Sequence, residues 1–177
     1  MGIEILAKDE QEKYYNDILD MLIDADDEFV PPLSSRSSTT QADLSSTKKL
    51  NDGVINYFEG LKKQRFLVAT ENGKLIAFVS FKENFVNEKI DDNELPNIYI
   101  STLLVSPDSR GKGFTRKMYE ILFNEYENAN VFTRTWSTNL AHIKILSKFN
   151  FEIMCVLKND RGNGIDTVYF KKSRKAF

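Results

Sequence analysis

The stretch SPDSRGKGFTRKMY, residues 106–119, joins a β-rich run to a run with helical periodicity. It places Gly111 and Gly113 among four basic side chains. A strand that turns through glycine into a helix directs several backbone N–H groups at one place, because the first turn of a helix has no internal acceptors for them. Such a turn attracts a phosphate, and glycine lets the anion approach the backbone. The stretch therefore predicts an anion site; the alternative is a surface turn with ordinary solvated charges.

The segments on both sides of this turn indicate a central strand and two helices. The run IYISTLLV (98–105) is apolar on both faces, which is typical of a strand inside a sheet. The apolar residues of 114–122 share one helical face, and NVFTRTW (130–136) favours another strand. Asn139 then stands where the N-cap of a last helix is expected.

The two ends of the chain add strands and helices to this centre. GIEIL (2–6) favours a first strand, and Asp9 with Glu12 resembles a capping box that opens a helix. A second helix follows a Ser/Thr-rich loop, and 65–82 reads as a hairpin with its turn at Asn72-Gly73. Two more strands around a Gly-containing loop end the chain.

This order of elements predicts an α/β fold with one mixed sheet of about six to seven strands, flanked by about four helices. A chain of 177 residues with 41% hydrophobic content suits one core of ordinary size. We therefore expect a single domain over 1–177.

Composition excludes several classes of function. The formal net charge of −2 argues against a nucleic-acid partner, and no apolar run approaches the ~20 residues that span a bilayer. With one histidine and one cysteine, the chain offers no metal-ligand cluster. The single Cys155 lies in the apolar run FEIMCV, the usual setting of a buried free thiol, which predicts a reducing, cytoplasmic location.

Two nucleotide-binding motifs can be set aside. The P-loop spacing of Gly, four residues and Gly-Lys-Ser/Thr does not occur in the chain, and the dinucleotide fingerprint needs a third glycine where Arg116 stands.

At these residues the chain resembles the GNAT superfamily of N-acetyltransferases. RGKGFT (110–115) is similar to the family signature Arg/Gln-x-x-Gly-x-Gly/Ala, except that Thr115 stands where Gly or Ala is usual. NLAHIKILSKFNF is similar to the second motif of the family, anchored at Asn139 and Phe151. The resemblance covers essentially the whole chain.

The resemblance implies acetyl-CoA as co-substrate and a primary amine of a small molecule or peptide as acceptor, with no metal, no nucleic acid and no membrane; a homodimer stays open. Backbone amides around Leu103, Leu104 and Val105 would polarise the thioester carbonyl. The cofactor-binding residues implied by the signature and the second motif are Arg110, Gly111, Lys112, Gly113, Phe114, Thr115 and Asn139.

The usual catalytic side chains of the family are missing. The tyrosine that serves as general acid corresponds to Leu146, and the glutamate that serves as general base corresponds to Ser101. Either the enzyme works mainly by proximity and an oxyanion site, or the chain is a non-catalytic module that binds or senses acyl-CoA. Because a missing acid or base costs about 10²–10⁴ in rate, activity can survive, and we expect an active acetyltransferase.

Two further features leave alternatives open. His142 lies one helical turn before Leu146 and is either a substitute proton relay or a partly exposed helix histidine. On the acceptor side, the acidic residues 24–28 would attract a cationic acceptor, whereas Arg36 would bind a substrate carboxylate.

Overall fold

The structure, a computed structural model, describes residues 2–36, 53–86 and 95–174. Within these ranges the chain forms seven strands and four α-helices. The strands are β1 (Gly2–Ile5), β2 (Arg65–Glu71), β3 (Lys74–Glu83), β4 (Asn97–Val105), β5 (Asn130–Trp136), β6 (Glu152–Leu157) and β7 (Thr167–Lys172). The helices are α1 (Tyr15–Asp24), α2 (Gly53–Leu61), α3 (Phe114–Glu125) and α4 (Leu140–Lys148).

All seven strands belong to one sheet in the order β1-β2-β3-β4-β5-β7-β6. Neighbouring strands are antiparallel except β4 and β5, which are parallel and are connected through α3. The predicted mixed sheet with flanking helices is confirmed, and β4 occupies the central position that its two apolar faces indicated.

Local turn chemistry explains several element boundaries. Asn72 and Gly73 both have positive φ, +51° and +78°, as the tight turn of the β2–β3 hairpin requires. Asn139 Oδ1 accepts a hydrogen bond from the backbone N–H of His142 at 3.3 Å, so the predicted N-cap of α4 is confirmed.

The start of the first helix differs from the prediction at Asp9 and Glu12. Lys8–Tyr14 forms a 3₁₀ helix, in which Glu10 Oε2 accepts from the Ala7 N–H at 3.3 Å, and α1 begins only at Tyr15. Gln11 and Tyr14 are both buried, and a spacing of three residues repeats on one face of a 3₁₀ helix. Their burial explains the tighter winding.

The sheet has an apolar core on each face. In β2 the alternation is strict: Leu67 and Ala69 pack on the side of α3 and α4, whereas Phe66 and Val68 pack on the side of α1 and α2. Most of the remaining buried apolar residues belong to one of these two clusters. The helices therefore sandwich the sheet and fix its position from both sides.

A β-bulge interrupts β4 at Ser101. Ser80 pairs with Thr102 and Phe81 with Ile100, so Ser101 has no partner in the β3–β4 register. The extra residue reverses the alternation along the strand: Ile100 packs toward α3 and α4, and Leu104 packs toward α1 and α2. A simple period of two therefore does not hold along the whole of β4.

Next to this bulge, β4 and β5 separate. Their parallel pairing runs from Asn97–Asn130 to Ile100–Thr133 and stops, although β4 continues to Val105 and β5 to Trp136. The second halves of the two strands thus enclose a gap in the middle of the sheet.

Cys155 is half-buried, not buried as its apolar neighbours predicted. It lies on β6, the last strand of the sheet, where no further strand covers the outer edge. No helix in the described ranges combines the length and apolar character needed to cross a membrane.

Gly53 provides a test of the packing between α2 and the segment before it. A Cβ on Gly53 would overlap the backbone carbonyl of Ser34, which cannot move as a side chain can. We expect Gly53→Ala to lower the free energy of unfolding by about 1–3 kcal/mol. For a chain of this size that change lowers Tm by roughly 2–4 °C per kcal/mol.

Gly73→Asn is the matched control for thermal unfolding. No atom lies within 4 Å of a Cβ at Gly73, and asparagine tolerates the positive φ found there. Equal Tm values for Gly53→Ala and the wild type would show that α2 does not pack on Ser34 as described.

Candidate active site

A pocket of about 350 Å³ lies in the gap between the separated halves of β4 and β5. Its walls come from β4, β5, the beginnings of α3 and α4, the segment around residue 30 and the β6–β7 loop. The described lining residues are Glu28, Phe29, Arg36, Ile100, Ser101, Thr102, Leu103, Leu104, Val105, Arg110, Thr115, Thr133, Arg134, Thr135, Trp136, Asn139, Ala141, His142, Ile145 and Arg161.

The β4 wall contains the residues expected to polarise a thioester carbonyl. Leu103, Leu104 and Val105 all line the pocket, and they lie beyond the last β4–β5 pair, Ile100–Thr133. Strand pairing to β5 therefore does not use their backbone groups on the side of the gap. This stretch can present N–H groups to a ligand.

The glycine turn borders the same pocket. Gly111 and Gly113 have φ of +74° and +81°, and no atom lies within 4 Å of a Cβ built on either residue. Gly113 directly precedes α3 and caps it without a side-chain hydrogen bond, so the first N–H groups of the helix have no intrahelical acceptor. Thr115 lines the pocket, whereas Phe114 is 4% exposed and packs in the core.

The two arginines of the turn point to separate carboxylate partners. Arg110 Nη2 donates to both carboxylate oxygens of Glu28 at 2.8 Å, and its Nε donates to the Val105 carbonyl at 3.1 Å. Arg116 instead pairs with Glu120 along α3. Because these two guanidinium groups have carboxylate partners, the backbone N–H groups of the turn become more important for binding an anion.

Asn139 links β5 to α4 at the edge of the pocket. Its Oδ1 caps the helix, and its Nδ2 donates to Thr135 Oγ1 at 3.1 Å. Both ends of the amide are therefore used to hold the beginning of α4 against β5.

The tyrosine position of the family is closed to the pocket. Leu146 is fully buried in the core on the α3 and α4 side. His142 lines the pocket, and Tyr119 OH lies 2.7 Å from its Nε2. Burial lowers the pKa of His142 to about 4 and raises that of Tyr119. At neutral pH the tyrosine therefore donates and Nε2 of the neutral imidazole accepts.

The glutamate position is occupied by a serine with structural partners. Ser101 lines the pocket, but its hydroxyl donates to Gln64 Oε1, and Ser80 lies 3.3 Å away. A hydroxyl that is committed to an amide oxygen does not act as a base. Ser101 therefore holds the bulge of β4 in place.

A capping segment, residues 28–36, borders the pocket through Glu28, Phe29 and Arg36. Phe29 packs on Trp136 with ring centroids 5.9 Å apart. Immediately before it, Asp26 accepts from the Ser34 N–H and hydroxyl, both at 2.7 Å, which folds the segment back on itself. The acidic residues Asp26 and Glu28 are thus engaged within the protein.

Sequence reasoning missed the pocket arginines Arg134 and Arg161. Arg134 looked like an ordinary polar position in the alternation of NVFTRTW, and Arg161 belongs to a loop whose place depends on long-range contacts. In the described parts of the chain, no three His, Cys, Asp or Glu side chains are grouped as metal ligands.

Comparison with known proteins agrees with this geometry. A family model described as the acetyltransferase (GNAT) family matches residues 22–151. No curated protein sequence matches the chain at a significant level.

Solved structures share the fold. An N-acetyltransferase from Staphylococcus aureus Mu50 superposes with a TM-score of 0.67 at 22% identity, covering 98% of both chains. The ribosomal-protein-alanine N-acetyltransferase from Brucella melitensis gives 0.65 at 15% identity, covering 98% of this chain and 99% of its own. The Salmonella typhimurium protein yncA, solved with its cofactor acetyl-CoA, gives 0.64 at 16% identity, covering 100% and 95%.

At these sequence identities, the solved structures show only that the fold is shared. The family model, in contrast, matches well over half of the sequence. The chain therefore belongs to the acetyltransferase (GNAT) family, the family that its glycine turn at residues 110–115 resembles.

Proposed function

We propose that the protein transfers the acetyl group of acetyl-CoA to a primary amine of a small molecule or peptide. The observation that carries this proposal is the gap between β4 and β5, which leads from the backbone of residues 103–105 to the glycine turn. Membership of the acetyltransferase family supports the same reaction. A chain with one cysteine, Cys155, cannot form an internal disulfide, which supports a reducing compartment, the cytoplasm.

The residues present fit acetyl-CoA. Space remains open above Gly111 and Gly113, where a Cβ would meet no atom within 4 Å, and the first turn of α3 offers backbone N–H groups to a diphosphate. The gap beside Leu103 and Val105 suits an extended pantetheine arm, because strand backbone can pair with the amides of such an arm. When bound there, acetyl-CoA supplies an activated acetyl thioester.

The chain itself then contributes orientation and electrostatics. In this proposal, backbone N–H groups of residues 103–105 donate to the thioester oxygen and stabilise negative charge that develops on it. The pocket walls hold the amine close to the thioester, and such positioning contributes up to ~7–11 kcal/mol. No acidic or basic side chain at the Leu146 or Ser101 position takes part.

One observation favours the second candidate function, a non-catalytic module that binds acyl-CoA. Leu146 is fully buried and Ser101 is bound to Gln64, so neither family position for proton transfer is functional. Binding without turnover needs only the turn and the β4 backbone.

Release of free CoA thiol in the presence of amine panels separates the two functions. Amino acids, peptide N-termini, polyamines and aminoglycosides are tested with acetyl-CoA, and hydrolysis without amine is the background. An amine that raises thiol release supports the transferase. Binding of acetyl-CoA with no release above background by any amine would favour the binding module.

Gly113→Glu tests the cofactor site. The new carboxylate would enter the space of the diphosphate and repel it, so we expect the affinity for acetyl-CoA to fall by about tenfold or more. Isothermal titration measures the affinity. In the wild type, ligand at 100 times Kd should also stabilise the fold by about 2.7 kcal/mol.

Gly73→Glu is the matched control for backbone strain. Its φ of +78° is close to the +81° of Gly113, and a Cβ at either residue meets no atom within 4 Å. The free energy of unfolding should fall by a similar amount in both variants, and only Gly113→Glu should lose affinity for acetyl-CoA. If Gly113→Glu binds acetyl-CoA with unchanged affinity, the turn does not bind the cofactor.

The pH dependence of the rate tests the role of His142. Because burial lowers its pKa to about 4, the imidazole is neutral across the assay range and cannot gain or lose a proton there. We expect log kcat/KM to rise with unit slope up to the pKa of the acceptor amine. A lysine-like amine with pKa about 10.4 is only ~1 part in 2,500 neutral at pH 7, so weakly basic amines should be favoured.

His142→Gln should leave this profile unchanged, since the glutamine oxygen can accept from Tyr119 as Nε2 does. A plateau that begins near pH 6.5 in the wild type and disappears in His142→Gln would instead make the histidine the proton-transfer group.

A further inference from the structure

Three arginines line the end of the pocket that lies under the capping segment. Arg36 comes from the segment itself, Arg134 from β5 and Arg161 from the β6–β7 loop. Arg36 and Arg161 are only 7% and 6% exposed. Arginine is rarely buried to this extent without a charged partner, because removing the guanidinium from water is costly.

Neutral oxygens hold the two buried guanidinium groups. Arg36 Nε and Nη2 donate to the Pro31 carbonyl at 3.1 and 2.9 Å. Arg161 Nη1 donates to the Val30 carbonyl at 2.6 Å, and its Nε donates to Thr167 Oγ1 at 2.9 Å. These bonds fix the positions of the groups without an ion pair, and the charge of Asp160 offsets that of Arg161 only in part.

The two buried arginines, Arg36 and Arg161, have no direct carboxylate contact within the described structure. In the described ranges neither Arg36 nor Arg161 forms an ion pair, and Asp160, which accepts from the Thr167 hydroxyl, does not line the pocket. Glu28 is the single acidic residue of the described lining, and it pairs with Arg110.

The ionised groups of the described lining are therefore four arginines and one glutamate, a formal charge of +3. The arginines are also close enough to act on one another. Burial and the charges of Arg36 and Arg134 lower the pKa of Arg161 to about 9, so that it still carries its proton at neutral pH. A bound anion would offset both the burial cost and the mutual repulsion.

We infer that the acceptor is an amine that also carries an oxyanion group, a carboxylate or a phosphate, and that Arg36, Arg134 and Arg161 bind this group. The inference rests on the proposed function and names its acceptor class. A planar guanidinium offers paired N–H donors that match both kinds of oxyanion. A pocket of about 350 Å³ restricts this acceptor to a small molecule or the end of a chain.

This cluster also reduces the need for a base, because an ammonium group of lower pKa can release its proton to water. Positive charge beside a bound ammonium group disfavours its protonated form and so lowers its pKa. The same charge excludes polycations such as spermidine, which cannot place a second ammonium group in the pocket without repulsion. The three arginines thus select for an anionic amine and favour its neutral, reactive form.

Binding of product-like probes to CoA-saturated protein tests the inference without relying on turnover. One pair of probes is N-acetylglycine and its neutral amide, N-acetylglycinamide. The other pair is N-acetylphosphoethanolamine and neutral N-acetylethanolamine. Isothermal titration should show binding of at least one charged probe, about 10- to 100-fold tighter than its neutral partner. The pair that shows the preference identifies carboxylate or phosphate.

Arg161→Gln should lower the affinity for the charged probe by about 10- to 100-fold and leave the affinity for the neutral probe unchanged. Arg161→Lys keeps the charge but not the paired donors, so it should fall between the wild type and Arg161→Gln. Lys158→Gln is the matched control: it removes one positive charge from the same loop, at a side chain that is 77% exposed and does not line the pocket. If Arg161→Gln does not fold, Arg134→Gln takes its place.

Three results would overturn the inference. In the first, the wild type binds neither charged probe. In the second, Arg161→Gln binds the charged probe as tightly as the wild type does. In the third, Arg161→Gln loses affinity for CoA and keeps its affinity for the probe. The last result would assign the cluster to the cofactor phosphates. Failure of acetyl-CoA itself to bind the wild type would reject the proposed function, and it is measured first.

Discussion

The separation of β4 from β5 is the constraint on which the rest of the site depends. Parallel strands normally satisfy each other's backbone groups along their whole length, but this pair stops at Ile100–Thr133. The bulge at Ser101 changes the direction of β4 while the strand remains paired to β3. The strand can therefore leave β5 without losing its packing in the core. Helices packed on both faces hold the sheet around the gap. The gap in the middle of the sheet is thus stable and is bounded by strand backbone.

The two ends of this gap differ in the source of their positive electrostatic potential. At the glycine turn, Arg110 is paired with Glu28, so the attraction for an anion comes mostly from backbone N–H groups and the N-terminal end of α3. At the opposite end, Arg36 and Arg161 carry full charges held by neutral oxygens. Backbone donors suit the diphosphate of one invariant cofactor, whereas side chains can change between relatives that use different acceptors. In the acceptor class that we propose, the arginines are therefore the residues that select the acceptor.

Features that rest on local chemistry could be predicted from the sequence, and features that rest on distant partners could not. The turn at Asn72-Gly73 and the cap at Asn139 follow from side-chain preferences, and the structure has both. The bulge at Ser101 leaves no local mark, since it is a property of pairing with β3. Arg161 enters the pocket through a bond to Val30, 131 residues earlier in the chain, which no periodicity can indicate.

The capping segment is fastened unequally at its two ends. Its first residue, Glu28, holds Arg110 through an ion pair whose side chains are nearly half exposed, and such pairs contribute about 0–1 kcal/mol and are screened by salt. Its later residues are fixed by buried bonds from Arg36 and Arg161 to the carbonyls of Pro31 and Val30, which salt does not reach. Salt therefore acts mainly on the contact between Glu28 and Arg110, and it leaves the buried hydrogen bonds to Val30 and Pro31 in place.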